Sequence, residues 1–303
     1  MALVGFAAYA VAGPAKDARI HATPFSVDPG LGGAFARCPA HRRAVGGGVI
    51  ETGSRRAYVS ASGPLDATDT AAIQPSSGVA NTKDGDVAKQ WYAGVSNASS
   101  RALDLKVLAL CSKASDARIQ AKGFWVAGRD TGVASAKCPA GKRAVGGGLV
   151  QAGWPDDRVL ASGPLDASGA ITSTKDGDKA KRWYAAVHNL PAHRVHFKVF
   201  ALCSADSHAR IQANRFSVKR GRTGDAVAKC HPGTRAVGGG IIQFSRPRYL
   251  RVRASGPLDA TGTAKRTRDG DVAKGWYAAI QNRIENPNGG PRRFKVFAIC
   301  EPV

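Results

Sequence analysis

The stretch Cys138-Pro-Ala-Gly-Lys-Arg-Ala-Val-Gly-Gly-Gly148 decides the fold, because nearly the same residues begin again at Cys38 and at Cys230. After it, each copy carries Ser-Gly-Pro-Leu-Asp, then Asp-Gly-Asp, then Trp-Tyr, in the same order. The chain is therefore one unit of about 95 residues present three times. Residues common to the copies are expected to form the scaffold, and function is sought where the copies differ.

The end of each copy is marked by a second phrase, Phe197-Lys-Val-Phe-Ala-Leu-Cys203 in the middle one. These landmarks predict three repeats, at 16–115, 116–207 and 208–303. The connectors at 112–115 and 204–207 are too short to act as flexible tethers, so we expect the repeats to pack against one another.

Residues 1–15 are apolar and small, which is typical of the hydrophobic part of a secretory signal. The alternative is an additional apolar strand that packs on the body. Nothing after it approaches the roughly 20 apolar residues of a membrane span.

Short alternating runs separated by Gly, Pro and Asp predict an all-β fold, and no long helical period is present. In the second repeat, strands are predicted at 117–126, 142–150, 158–162, 183–187 and 197–203. The 158–162 strand is expected to stop at Gly163-Pro164, and Asp-Gly-Asp is expected to form a turn. The predicted architecture is a β-prism-like body of three packed repeats with approximate threefold symmetry. The alternative is three small β-sandwich domains in a rigid row.

Three consecutive glycines within a strand need a reason, since glycine weakens strands. Close approach of a bulky group is the natural one. We expect the tryptophan of the same repeat, Trp183 in the second, to lie over Gly146–Gly148.

The six cysteines occur two per repeat, which favours one disulfide within each repeat. The predicted pairs are Cys38–Cys111, Cys138–Cys203 and Cys230–Cys300, although sequence alone leaves the other 14 of 15 pairings open. Zinc is the competing interpretation, but there is no Cys-x-x-Cys spacing and no histidine recurs beside the cysteines. No metal or other cofactor is therefore predicted. Disulfides indicate an oxidising compartment, hence a secreted or extracellular protein that could associate with a cell surface.

The formal net charge is +22, and it is unevenly distributed. Residues 16–115 hold 12 Lys+Arg and 8 Asp+Glu, whereas residues 208–303 hold 19 and 6. This asymmetry favours an acidic partner for the third repeat, and the alternative is a solvated basic surface without a dedicated ligand.

Some charged residues recur with the scaffold. They are Arg19, Arg118 and Arg210 at one position, Arg43, Arg143 and Arg235 at another, and Asp66, Asp166 and Asp259 after Gly-Pro-Leu. They could form a ligand site present three times, or a structural Arg–Asp pair at each corner, which we favour. A calcium site at Asp-Gly-Asp is less favoured than a turn, because a lysine follows and no glutamate completes a ligand set.

The residues that differ between repeats supply the candidate ligand-binding set. Trp154 beside Pro155 suits stacking on a sugar ring, and Trp125 is expected to point away from its buried neighbours Phe124 and Val126. Both tryptophans could instead cover contacts between repeats. The remaining candidates are basic or aromatic residues in or beside loop tips: Arg55, Arg56, Arg246, Arg248, Tyr249, Arg251 and Arg253.

Two insertions, at 67–80 and 286–290, are further candidates for partner contact or for neutral surface loops. Asn97-Ala-Ser99 matches a glycosylation sequon.

The pattern Cys-Pro-x-x-x-Arg-Ala-Val-Gly-Gly-Gly, Trp-Tyr-Ala-x-x-x-Asn and Val-x-Ala-x-Cys resembles repeats of many uncharacterised secreted bacterial proteins. The resemblance spans nearly the whole chain beyond residue 16. It implies secretion and disulfides and brings no known activity. The likeness to β-prism lectins is architectural only.

Catalysis is not predicted, since no Gly-x-Ser-x-Gly elbow occurs and the histidines do not recur with a nucleophile.

The favoured function is a secreted binding protein for carbohydrate or an acidic surface polymer. An acidic protein or self-association is also open, and nucleic acid is least favoured. The alternative is a structural subunit of an extracellular assembly, in which residues 1–15 complete a neighbouring sheet.

Overall fold

The computed structural model describes residues 13–51, 57–68, 81–151, 157–244, 250–283 and 290–303. Over these ranges the chain forms 18 β-strands and no helix, which confirms the predicted all-β class. Among the residues described, no helix has the length and apolar character needed to cross a membrane.

Each repeat contributes six strands. The first forms β1 (Arg19–Val27), β2 (Gly30–Arg37), β3 (Arg43–Glu51), β4 (Ala57–Leu65), β5 (Gln90–Asn97) and β6 (Leu103–Ser112). The second forms β7 (Arg118–Val126), β8 (Thr131–Lys137), β9 (Arg143–Gln151), β10 (Arg158–Leu165), β11 (Arg182–His188) and β12 (Val195–Ser204). The third forms β13 (Arg210–Val218), β14 (Thr223–Lys229), β15 (Thr234–Gln243), β16 (Leu250–Leu258), β17 (Gly275–Asn282) and β18 (Arg292–Pro302).

The strands form three six-stranded antiparallel sheets, and every sheet is shared between two repeats. The orders are β2-β5-β4-β9-β12-β7, β13-β18-β15-β10-β11-β8 and β1-β6-β3-β16-β17-β14. The second, fourth and fifth strands of each repeat therefore share a sheet with the first, third and sixth strands of the next repeat, and the third repeat pairs back onto the first in the same way. Separate sandwiches in a row do not describe this topology, because each repeat is hydrogen-bonded within a sheet to both neighbours.

The glycine triplets lie where the repeats meet. A Cβ added at Gly146 would fall on the carbonyl oxygen of Val45 in the first repeat, and one added at Gly148 would fall on that of Ser62. Equivalent approaches occur at the other two junctions. The strands β3, β9 and β15 thus come together at a distance that only glycine permits.

The tryptophan predicted to cover each triplet does so. A Cβ at Gly147 would lie 2.5 Å from Cγ of Trp183, whose side chain is 1% exposed. The indole nitrogen of Trp183 donates a hydrogen bond of 2.9 Å to Oγ of Ser162. Trp91 and Trp276 make the same contacts in their own repeats.

The predicted stop at Gly163-Pro164 is wrong, because β10 continues to Leu165 and Pro164 pairs with Trp183 of β11. On its other side, β10 pairs with β15 through Ser162 and Ile241 alone. After Ser162 the main chain of β10 makes no further pairing with β15, so Pro164, which has no N–H group, is tolerated at this position.

The Asp-Gly-Asp segments form turns, as predicted, and each turn docks on the first strand of the next repeat. Gly177 N donates to Ile211 O and Ile211 N donates to Asp178 O, both at 2.9 Å. Oδ1 of Asp176 accepts a hydrogen bond from Ala213 N. The turn at 84–86 contacts β7 in the same way, and the turn at 269–271 contacts β1.

The recurring arginines also bind across these junctions. Arg210 donates to Gly177 O at 3.0 Å, and Arg143 donates to Ala209 O at 3.4 Å. The corner aspartate of this repeat, Asp166, instead accepts hydrogen bonds from Ser168 and Ser173. The expected Arg–Asp pair at each corner is therefore replaced by arginine–carbonyl contacts between repeats.

The three disulfides are those predicted from the recurrence of two cysteines in each repeat: Cys38–Cys111, Cys138–Cys203 and Cys230–Cys300. Each one joins the turn after the second strand of a repeat to the sixth strand. Since these two strands belong to different sheets, every disulfide links two sheets.

The sequon asparagine is structural. Asn97 is 3% exposed, and its Nδ2 donates to Val27 O at 2.8 Å and to Arg101 O at 2.7 Å. Asn189 and Asn282 hold the same position in the other repeats. A glycan at Asn97 would break this network, so the sequon match has no support from the fold.

Residues 1–12, the greater part of the predicted signal or additional strand, lie outside the described residues. Gly13 forms an isolated parallel bridge with Ser115, and Ala15 is buried. Most of the two insertions, at 69–80 and 284–289, also lies outside the described residues.

Candidate ligand-binding surface

Three loops differ between the repeats. Each follows the strand that carries the glycine triplet (β3, β9 or β15) and precedes the next strand of its repeat. Most of the predicted ligand-binding residues belong to these loops and lie outside the described residues: Arg55, Arg56, Trp154, Pro155, Arg246, Arg248 and Tyr249. The predicted residues within the described ranges are Trp125, Arg251 and Arg253.

The side chains that follow the three loops meet each other. Tyr58, Arg158 and Arg251 occupy the same position in β4, β10 and β16, four residues before the serine that binds the tryptophan. Cζ of Arg251 lies 4.8 Å from the centre of the Tyr58 ring, and Cζ of Arg158 lies 5.5 Å from it. The three repeats thus place one cationic or aromatic residue each at a common point.

Two further arginines adjoin this point. Arg253 is 8% exposed, and it donates to Ala57 O at 2.8 Å and to Gln281 Oε1 at 2.6 Å. The charge of Arg283 acts on both Arg251 and Arg253. We refer to Tyr58, Arg158, Arg251, Arg253 and Arg283 together as the arginine cluster.

The arginines of the cluster repel one another. Burial, and after it the charges of Arg158 and Arg283, lower the pKa of Arg251 to about 10. Burial also lowers the pKa of Arg253, against the favourable charge of Glu51. Nε of Arg251 has no hydrogen-bond partner among the described residues. The cluster therefore has positive charge in excess of its acidic neighbour.

Guanidinium groups held in this way suit the recognition of carboxylate, sulfate or phosphate. Their planar donors can bind two oxygens of such a group at once. A bound anion would also relieve the repulsion that lowers the pKa of Arg251. The cluster is thus arranged for anionic rather than neutral ligands.

Trp125 is exposed, as predicted, but its ring is already in contact with other side chains. It is 55% exposed and stacks on His196, with ring centres 4.6 Å apart. Cζ of Arg194 lies 4.2 Å from the indole centre. Burial, then the charges of Lys198 and Arg194, lower the pKa of His196.

A cavity of about 610 Å³ adjoins the cluster through Arg253. Small and apolar residues form much of its lining, together with Tyr277 and charged residues of both signs, among them Glu51, Asp225, Lys265 and Arg266. At the centre of the molecule, by contrast, the space between Trp91, Trp183 and Trp276 is only about 20 Å³. This central space is too small for an organic ligand.

The described residues include no group of three or more His, Cys, Asp or Glu side chains that could hold a metal ion. The carboxylates of the Asp-Gly-Asp turns accept main-chain hydrogen bonds, for example Asp178 from Lys175 N at 2.8 Å.

No protein-family model and no curated protein matches this chain.

Of the predicted site residues, the structure brings Arg251 and Arg253 together and places Trp125 in a separate contact with His196. Sequence reasoning missed Tyr58, Arg158 and Arg283. The signal for two of them was available, because superposing the repeats at the Ser-Gly-Pro phrase puts Tyr58, Arg158 and Arg251 at one position.

Proposed function

We propose that this protein is a secreted, non-enzymatic binding protein that recognises an acidic cell-surface polymer through the arginine cluster. The observation that carries the proposal is the convergence of Tyr58, Arg158 and Arg251 from three repeats, with Arg253 and Arg283 beside them. The adjoining loop sequences add four more cations: Arg55, Arg56, Arg246 and Arg248.

A charged polymer is favoured over a neutral carbohydrate. The exposed indole of Trp125, which would stack on a sugar, already contacts His196 and Arg194. The net charge of +22 attracts polyanions at long range and raises their association rate. Carboxylated, sulfated and phosphorylated polymers share this chemistry.

The three disulfides support secretion, because such bonds persist in oxidising compartments. The repeated junction contacts support a β-prism-like arrangement with approximate threefold symmetry. That arrangement would present the arginine cluster at one end of a rigid body.

A non-enzymatic role is supported by the recurring serine and asparagine side chains, which make hydrogen bonds within the scaffold. Ser62, Ser162 and Ser255 accept hydrogen bonds from tryptophans rather than from a general base. Asn97 and its equivalents bind main-chain carbonyl groups. These residues are explained by the scaffold alone.

The experiment measures the salt concentration that elutes the protein from heparin and from immobilised polyphosphate. The triple variant Arg158→Ala, Arg251→Ala, Arg283→Ala is expected to elute at distinctly lower salt than the unmodified protein. Thermal unfolding of each variant verifies that it is folded.

The matched control removes three exposed cations from equivalent positions at the other end of the sheets: Arg37→Ala, Lys137→Ala and Lys229→Ala. Its net charge equals that of the cluster variant. Equal loss of retention in the two variants would show that only net charge matters and would contradict the proposal.

A further inference from the structure

The third repeat has a cavity of its own beside β13 and β18. Its volume is about 470 Å³, within the range of small-molecule sites. It is lined by Arg215, Phe216, Ser217, Phe244 and Arg293. These residues are separate from the arginine cluster.

The second repeat shows what fits the equivalent place. Ser217 pairs with Arg293, just as Trp125 pairs with His196. In the second repeat the indole of Trp125 fills this position, stacked on His196 with 16° between the rings. The fold thus accommodates a planar ring here, and in the third repeat serine takes the place of that ring.

The third repeat also supplies cations that the second lacks. Arg293 replaces His196, and Arg215 replaces Gly123. Cζ of Arg215 lies 6.0 Å from the centre of the Phe244 ring. The described residues that line the cavity include no acidic side chain.

A third cation contacts Phe244, one of the residues that line the cavity. Nζ of Lys295 is 4.9 Å from the centre of the Phe244 ring and donates to Thr172 O at 3.2 Å and Thr174 O at 2.6 Å. These two bonds fix the ammonium group in place. Burial, then the charge of Arg215, lower its pKa, so an anion near Arg215 would be favourable to both groups.

We propose that this cavity binds a small molecule that consists of a planar ring carrying an acidic group. The ring lies against Phe244, in the place that Trp125 fills in the second repeat. The acidic group is bound between Arg215 and Arg293. This site is additional to the proposed polymer-binding surface and does not depend on it.

The first test compares indole-3-carboxylate with its two halves, indole and formate, by isothermal titration calorimetry on the full chain. We expect measurable binding of indole-3-carboxylate and at least tenfold weaker binding of either half. Absence of binding by indole-3-carboxylate would overturn the proposal, and so would equal binding of indole, which would show that the cations contribute nothing.

The second test fills the cavity with the side chain that the second repeat uses. Ser217→Trp is expected to weaken binding of indole-3-carboxylate at least tenfold. Ser26→Trp is the matched control, because Ser26 holds this position in the first repeat and faces Asp104 there. It should leave the affinity unchanged. Unchanged affinity in Ser217→Trp would overturn the proposal.

The third test introduces the second repeat's own residues, which this fold is known to accept. Arg215→Gly with Arg293→His should abolish the advantage of indole-3-carboxylate over indole. The triple alanine variant of the arginine cluster should retain that advantage. Loss of ring-acid binding in the cluster variant, with the fold intact, would place the site at the cluster and overturn the proposal.

Discussion

Trp183 lies so close to Gly147 that the strand leaves no room for a methyl group between them. The carbonyl oxygen of Phe200 closes the same space from the neighbouring strand. The indole is held in place by its hydrogen bond to Ser162. A single residue type at position 147 therefore determines how a large buried side chain packs.

Gly147→Ala is expected to lower the free energy of unfolding by about 3 kcal/mol or more, at the upper end of overpacking effects, because backbone limits the relaxation. Chemical denaturation measures the loss. Gly13→Ala, where an added Cβ meets nothing within 4 Å, is the control and should change stability little. Similar stability of the two variants would contradict the packing argument.

Arg251 illustrates a residue whose charge opposes folding. Its pKa of about 10 means that the native state disfavours the charged form relative to the unfolded chain, at every pH below that value. Such tension between stability and charge is typical of binding sites.

Arg251→Gln is expected to raise the free energy of unfolding at pH 7, because it removes a partly buried charge that Arg158 and Arg283 repel. The gain is limited to about 1 kcal/mol, because solvent screens this repulsion. Added salt should stabilise the unmodified protein more than the variant. Urea unfolding at low and high ionic strength provides both values. A clear loss of stability in the variant would show that the stacking on Tyr58 outweighs the repulsion.

At the scale of elements, short side-chain contacts fix the connectors between repeats. Asp17 accepts hydrogen bonds from Ser112 Oγ and from Lys113 N, the latter at 2.9 Å. Asp116 holds Ser204 and Ala205 in the same way. In the third repeat the two residue types are exchanged. Glu301, at the position of Ser204, accepts hydrogen bonds from Ser207 Oγ and from the main-chain N of His208, which stands at the position of Asp116.

Acid should weaken the connector that Asp17 holds. Burial alone would raise the pKa of Asp17, but hydrogen bonds from Ser112, Lys113 and Ala114 and the charge of Arg42 lower it overall. The contribution is present above the unfolded pKa of about 4 and is lost as pH falls through the lower native value.

Asp17→Asn is therefore expected to lose stability at pH 6 and to show a smaller further loss between pH 5 and pH 2. Thermal unfolding across this range measures both. Exposed Asp206, replaced in the same way, is the control. An acid profile unchanged by Asp17→Asn would exclude this carboxylate as a cause.

Strands and disulfides could be predicted because they depend on local pattern and on recurrence. Trp183 over the glycines and the pair Cys138–Cys203 are examples. The sharing of each sheet between two repeats could not be predicted from the sequence. β10 joins β15 through the single pair Ser162–Ile241, and no local pattern encodes that partner. The docking of Asp176 on Ala213 is likewise a contact between repeats, whereas the sequence shows only a turn.

Only part of the arginine cluster could be predicted from the sequence, because the rest of it depends on contacts between repeats. Arg251 and Arg253 stand out as charges in the third repeat. Arg158 and Tyr58 are inconspicuous in their own repeats and become a site only when the three strands meet.

At the scale of the whole molecule, no repeat completes its own sheets. The half formed by β7, β12 and β9 needs β4 of the first repeat, and the half formed by β8, β11 and β10 needs β15 of the third. The disulfide of each repeat, which closes a loop of 65 to 73 residues, contributes roughly 4 kcal/mol in the chain-entropy model. That contribution does not replace the missing neighbours.

The oxidised fragment 116–207 is therefore expected to be unfolded when dilute, and to gain β-structure only on association with other copies. Circular dichroism and analytical ultracentrifugation over a range of concentrations measure this. A folded monomeric fragment would contradict the dependence of each repeat on its neighbours. The complete chain is expected to unfold in one cooperative transition.

The junction between the third and first repeats has the contacts of the other two without a peptide bond across it. Arg235 donates to Ala18 O, and Ile20 N donates to Asp271 O. Superposition of the repeats puts Val303 immediately before Lys16 in the pattern. We therefore expect that a gene rearranged to start at Asp116, run on through Val303 into Lys16 and finish at Ser115 would encode the same fold. For this architecture, the contacts at the junctions would then determine the fold, whichever junction the chain leaves open.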